Sequence, residues 1–374
     1  MVEVTDASVT GLRSGEVTRD DLRASVAAGH ISEAQAASIL ALAQSRAGQR
    51  IAEDEPFELF KGFAEIFVSV GLMILIGGVG GLAALFSFPS IMMLIIAAAA
   101  WGLARYFTLK RRMMLPSIVL VITYALALIG IVMQVLIEML PSDIHVTIPA
   151  LLMLLGVGGG LILWYRQFRV PFTMFLLGLV GLGVALVITG HIGGIEGFVQ
   201  RGMQLDLRSG ASTSIGTLLF GIGALIGGLW FDMRDPHRLG LTSASGFWLH
   251  LLAAPALVNT VALTFYNMGP GLGYGLLALA LLLVSALALI IDRRSFLTAG
   301  IGYLIFLIGY AVSDASDPRS WVNVLLITGL FLTLLGTFWT DLRARLMRAL
   351  PDFPLKDRLP PYSAVSAPKT GEPQ

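Results

Sequence analysis

The chain has 374 residues, of which 56% are hydrophobic and only 13% charged, with a formal charge of +1, a pI near 8.0 and a mean hydropathy of +0.81. A soluble domain carries about a quarter of charged residues and cannot hide this much apolar surface, so a water-soluble fold is excluded, and with it the basic footprint of a nucleic-acid partner. Cysteine is absent, which removes disulfides, thiolate nucleophiles and thiolate metal sites together.

Residues 1–60 read as a soluble unit. The opening stretch MVEVTDASVTG lacks the basic start and apolar run of a cleavable signal, so the first internal span is expected to drive insertion. Gly15, Val17, Thr18, Asp21, Leu22 and Val26 recur fourteen positions on as Gly29, Ile31, Ser32, Gln35, Ala36 and Leu40. Thr18 and Ser32 suit the cap position before a helix, each followed three residues later by a side chain that reaches back to the cap amide. Gly29 suits a left-handed stop. The pattern predicts a helical hairpin over 17–49. Its helices are too short to stand alone in water, so it is expected to pack on the membrane core, a second copy or a protein partner. Glu53, Asp54, Glu55 and Pro56 then form an acidic link.

A membrane crossing needs about 20 mostly apolar residues. Ten stretches meet that requirement: 63–86, 90–108, 115–139, 148–165, 171–189, 213–231, 245–266, 271–291, 296–313 and 320–340. The expected fold is therefore an all-α, polytopic transmembrane helix bundle occupying 61–341, with a small N-terminal hairpin. Gly190–Ser212 reads as an extramembrane loop, punctuated by Glu196, Arg201, Asp206 and Arg208.

Basic residues in short loops stay on the cytoplasmic side. With the N-terminus inside, the inner loops hold nine: Lys110, Arg111, Arg112, Arg166, Arg169, Arg234, Arg238, Arg293 and Arg294. The outer loops hold three: Arg201, Arg208 and Arg319. Trp101, Trp164, Trp230, Trp248 and Trp339 fall near inner ends as an aromatic belt, and Trp321 near an outer one. Both termini are thus expected in the cytoplasm, with the chain a multi-pass protein of the inner membrane. Residues 342–350 continue as a basic amphipathic helix (Leu342, Arg343, Arg345, Leu346, Arg348) suited to an anionic leaflet, and Pro351 ends it. The proline-rich tail 351–374 is too poor in apolar residues to order itself.

Glycines four apart (Gly77 with Gly81, Gly156 with Gly160, Gly223 with Gly227, Gly271 with Gly275) suit close helix packing in lipid. None completes a dinucleotide fingerprint. Ionisable groups within spans are functional candidates by default. His250 lies about five residues into the seventh span, with Pro255 and Asn259 beyond it. The Pro255 ring frees a backbone carbonyl, which predicts a kink. His250 and Asn259 lie nine positions apart, about 180° around a helix, so they line one narrow site only if the kink rotates them together. As the one deeply placed histidine, His250 cannot form half of a two-histidine haem site.

Gln134 and Glu138, one turn apart near the outer end of the third span, form an outer polar pair. Glu138, Asp143, His145, His191, Glu196, Asp206, Asp314 and Asp317 gather on the same side, where solvated charge belongs. Their spacing matches no metal motif, so neither a metal nor a cofactor is implied. No H-E-x-x-H, G-x-S-x-G, P-loop or intramembrane aspartate pair occurs, so no catalytic residue is assigned.

The unit formed by Leu22, Gly29, Ile31, Ser32, Gln35 and Ile39, and the block Phe247-Trp248-Leu249-His250-Leu251-Leu252-Ala253-Ala254-Pro255 with Asp292-Arg293-Arg294 after the next span, resemble uncharacterised bacterial membrane proteins of the domain of unknown function 2157 type. The resemblance implies a helical hairpin and a multi-span core, and no activity. Two functions remain open. One is a non-enzymatic scaffold or interaction protein working through the hairpin. The other is a small-molecule transporter of two five-helix halves, the arrangement many transporters build around a midplane site.

Overall fold

The computed structural model describes residues 17–31, 35–36, 39–40, 63–85, 89–141, 143–193, 206–209, 212–235, 241–269, 272–293, 318–354 and 356–360. Every regular element among them is helical: α1 Arg19–Ala27, α2 Phe63–Leu85, α3 Pro89–Ala104, α4 Met114–Met139, α5 Thr147–Phe168, α6 Phe172–Gly193, α7 Ser212–Asp232, α8 Leu241–Tyr266, α9 Leu272–Ile291, α10 Pro318–Thr337 and α11 Trp339–Ala349. A π-helical segment, Arg105–Lys110, prolongs α3, and 3₁₀ turns cover Leu207–Ser209 and Lys356–Arg358.

Eight helices, α2 to α9, are long and apolar enough to cross a membrane. They coincide with the first eight expected spans. The ninth, 296–313, lies outside the described residues. The tenth coincides with α10, whose described outward side chains include Val322, Leu325, Leu326, Leu330 and Leu334. In such surroundings each backbone polar group needs an internal partner, which is why the apolar runs become helices. Hydroxyls follow the same rule: Ser69, Thr123, Thr217, Thr260 and Ser285 each donate to the carbonyl four residues earlier, at 2.7 to 2.9 Å.

Thr18 caps α1 as its sequence predicts. Its Oγ1 accepts from the Asp21 amide at 3.2 Å while the Asp21 carboxylate accepts from the Thr18 amide at 2.8 Å. The Thr18 hydroxyl, which donates to the Asp21 carboxylate at 2.6 Å, and after it the Thr18 amide favour the ionised Asp21 and hold its carboxyl below the usual aspartate range. Gly29, at φ +75°, ends the helix: the His30 amide donates to Ser25 and the Gly29 amide to Val26. Residues 35–36 and 39–40 are helical, and Ala36 closes on Leu22 in a small core with Val26, Ile31 and Leu40.

The bundle is organised around separate apolar cores. One joins α2 to α6 through Leu120, Val121, Leu161 and Trp164, with Trp101 and Phe168 in edge contact at 5.0 Å between ring centres. A second joins α7, α8, α9, α10 and α11 through Ala224, Ala253, Ala254, Ala288, Leu335 and Trp339. Helix α6 links the two by packing against α7 and α8. Phe172 meets Trp248 edge-on at 4.8 Å, and the Tyr165 hydroxyl lies 3.2 Å from the Ser245 hydroxyl.

Several expectations are revised here. Trp164 and Trp339 are buried rather than part of an interfacial belt, because they fill the two cores; Trp230 remains half-exposed. Of the anticipated glycine pairs, Gly156 and Gly160 do sit against Val132 and Leu128. A Cβ at Gly227 would meet Leu249 at 3.4 Å, while Gly77, Gly81, Gly223 and Gly275 face nothing within 4 Å among the described residues. The tail is not unstructured from Pro351 onward: Lys356 is buried and its Nζ donates to the Leu350 carbonyl at 3.0 Å. Residues 361–374 lie outside the described residues.

Candidate functional site

Helix α7 ends on Asp232, which is buried although it closes an otherwise apolar helix. Its carboxylate Oδ2 accepts from His250 Nε2 at 2.8 Å and from Arg293 Nε at 3.0 Å, while Oδ1 accepts from Arg293 Nη2. The guanidinium therefore grips the carboxylate through two nitrogens, a geometry that only arginine offers. Arg293 Nη2 also donates to the Ser243 carbonyl at 2.9 Å. Three elements meet in this triad: the end of α7, the first half of α8 and the residue pair after α9.

Close approach of α7 and α8 makes the triad possible. A Cβ at Gly228 would stand 2.7 Å from the His250 ring. One at Gly246 would stand 2.5 Å from Asp232 Oδ1 and 3.0 Å from the Gly228 carbonyl. Glycine at both positions lets the imidazole and carboxylate sit directly on helix backbone, walled off from lipid.

The turn after α9 explains how neighbouring residues serve two clusters. Asp292 adopts φ +54°; the Arg293 amide bonds back to Ala288 and the Asp292 amide to Leu289. This is the left-handed helix stop usually given to glycine, and aspartate is among the few other residues that tolerate it. The chain reversal sends Arg293 to Asp232 while Asp292 faces α11. There Asp292 Oδ1 accepts from Trp339 Nε1 at 2.8 Å and lies 3.7 Å from Arg343 Nε. Arg343 donates in addition to the Leu289 carbonyl at 3.0 Å and the Pro360 carbonyl at 2.6 Å. Asp235, also buried, accepts from Thr242 Oγ1 at 3.4 Å across the α7–α8 connection.

A fourth buried carboxylate serves the first half. Glu65 in the first turn of α2 accepts from the amides of Met114 and Leu115, both at 3.1 Å. It thus satisfies two of the amides that every helix leaves free at its start, here those of α4.

The expected site residues separate. His250 is fully buried and sits in the triad, at the tenth position of a helix that starts four residues earlier than expected. Asn259 is only partly buried and contributes no bond to the triad among the described residues. Gln134 Nε2 donates to Glu138 Oε1 at 2.7 Å, so the anticipated pair forms, but on the surface. Of the other outer groups, Asp206 accepts from Asn267 Nδ2 at 2.8 Å, and the His145 ring lies 3.0 Å from the Thr147 hydroxyl. Glu196, Asp314 and Asp317 lie outside the described residues.

Asp232, Asp292 and Arg293 are not among the expected site residues: each stands at a helix end, where charge is ordinary, and Arg293 falls among the inner-loop arginines. Arg343, expected on a lipid-facing basic helix, turns inward for the same reason as Arg293: a buried carboxylate and helix-end carbonyls attract it more than water does. The fold brings the Phe247–Pro255 block and the Asp292-Arg293 pair together at Asp232. No family model, curated protein or solved structure matches the chain.

Proposed function

We propose that this chain is a non-enzymatic scaffold or interaction protein of the bacterial inner membrane, with its basic loops and both termini in the cytoplasm and its 17–49 hairpin as the docking element. One observation carries the reading: the buried charged side chains are spent on joining helices. Glu65 caps α4; Asp232 is saturated by His250 and Arg293; Asp292 and Arg343 hold α11. A catalytic or transport site needs polar groups whose partners can be exchanged for substrate, whereas a scaffold needs helices that stay in place. The small hairpin core of Leu22 and Ala36, with Val17 and Ile39 exposed, supports a unit completed by a second protein surface. The helical hairpin and multi-span core also support membership of the domain of unknown function 2157 type.

The test compares full-length protein with a chain lacking residues 1–50, and with Leu22→Asp, in lipid nanodiscs. Complex formation, either with a second copy by single-molecule photobleaching or with partners cross-linked in native membranes, is expected to be lost in both while insertion persists. Retention of every complex by the truncated chain overturns the reading. A transporter of two five-helix halves, 63–189 and 213–340, is the second reading, supported by separate apolar cores on α2–α6 and on α7–α10 with the short α11. Spin labels at Arg169 and Arg234, placed without competition from native cysteine, report a single narrow distance for a scaffold and two interconverting distances for a transporter.

A further inference from the structure

Helix α11 starts immediately after α10, separated from it only by Phe338 at φ −99° and ψ 17°. This eleven-residue helix packs at the end of α9, the same end of the bundle that carries Asp232 and Arg293. Its side chains divide sharply. Trp339, Arg343 and Met347, one turn apart, are buried against the end of α9 and the tail. Arg345 and Arg348 are exposed on the far side, flanked by Phe338 at 52% and Leu342 at 40% exposure. Asp341 shares this side but sits in the first turn, where the helix dipole favours a carboxylate; the last turn carries Arg348.

A second feature marks the same level on another helix. Trp230, 46% exposed near the end of α7, carries the Arg234 guanidinium 3.6 Å from its ring centre. An indole with a cation stacked on it belongs at a bilayer interface, its ring among acyl chains and its charge among phosphates.

We infer that the outer face of α11 is a docking surface for the anionic phospholipid leaflet, with Leu342 and Phe338 entering the acyl boundary and Arg345 and Arg348 engaging phosphate. The charge selects anionic over zwitterionic lipid, and the aromatic and leucine side chains select a membrane over an acidic protein, which would leave them in water. The Trp339 bond to Asp292 and the Arg343 bonds to the Leu289 and Pro360 carbonyls set the helix's rotation, so that Arg345 and Arg348 face outward. This surface is independent of the hairpin.

The chain has no cysteine, so Leu342→Cys in the full-length protein accepts a single fluorophore. Quenching by nitroxide-bearing lipids is measured in nanodiscs of phosphatidylcholine, alone and mixed with phosphatidylglycerol. Each arginine near an anionic surface favours the docked state by roughly fivefold. Quenching is therefore expected to rise on adding phosphatidylglycerol, to fall back with salt, and to lose its dependence on lipid charge in R345Q/R348Q. R345K/R348K should retain it. Equal quenching in both lipids, unchanged response in R345Q/R348Q, or a label that stays open to an aqueous quencher in every lipid, as a protein-docking face would, each overturns the inference.

Discussion

The two halves of the bundle solve the same problem by different chemistry. Helices α2–α6 are joined by interlocking rings, with Trp164 between Tyr124 at 4.7 Å and Phe168 at 4.5 Å, and by one carboxylate cap from Glu65. Helices α7–α11 are joined by small-residue contacts wrapped around the Asp232–His250–Arg293 triad and the Asp292–Trp339–Arg343 cluster. In lipid, burial of apolar surface supplies little drive for helices to associate, so shape and polar contacts must do so. Rings achieve this through area and tolerate adjustment. Buried ion pairs achieve it through direction, and removing one partner leaves the other charged and stranded.

The contrast is most strongly challenged by Asp232→Ala, which leaves Arg293 and His250 without their carboxylate. A loss of about 3–5 kcal/mol is expected in reversible unfolding titrations in mixed micelles. Asp232→Asn combined with Arg293→Met should lose clearly less than the sum of the single changes, since neither charge is then stranded. Additive losses would show that the triad is not a unit.

Steric tightness of the second half gives the next largest effect. Gly228→Ala places a methyl group 2.7 Å from the His250 ring, and a cost of about 1–3 kcal/mol is expected by the same titration. Gly159→Ala in α5, with nothing within 4 Å among the described residues, should stay within about 0.5 kcal/mol of the parent. Equal costs would remove the argument that glycine shapes the triad.

The smallest effect is expected in the aromatic half. Trp164 Nε1 is buried with no hydrogen-bond acceptor among the described residues. Trp164→Phe loses packing area but also removes an unsatisfied donor, so a net change near 1 kcal/mol is expected. A loss as large as that of Asp232→Ala would mean that ring packing is as exacting as ion pairing, and the comparison between the halves would fail.

Much of this architecture was legible in residue order. The apolar runs, the Thr18 and Gly29 signals and the helix stop before Pro351 are local: each depends on neighbours within a turn or on the mean character of twenty residues. His250 was legible as suspect because an imidazole inside an apolar run stands out. Asp232 and Arg293 were not, because each ends a helix, where charge is ordinary. The glycines that matter, Gly228 and Gly246, lie outside the regular four-residue spacing that draws attention, and on two different helices.

Sequence alone determined that this chain is an all-helical bundle of apolar segments: lipid demands that every backbone amide and carbonyl be paired, and unbroken apolar runs of about 20 residues do so as helices rather than as the short alternating strands of a barrel. Tertiary structure decided which charges meet. Asp232 lies 18 positions from His250 and 61 from Arg293, and Trp339 lies 47 from Asp292. Contact across such separations depends on the rotation and depth at which whole helices pack, a property of the assembled bundle that no single segment encodes.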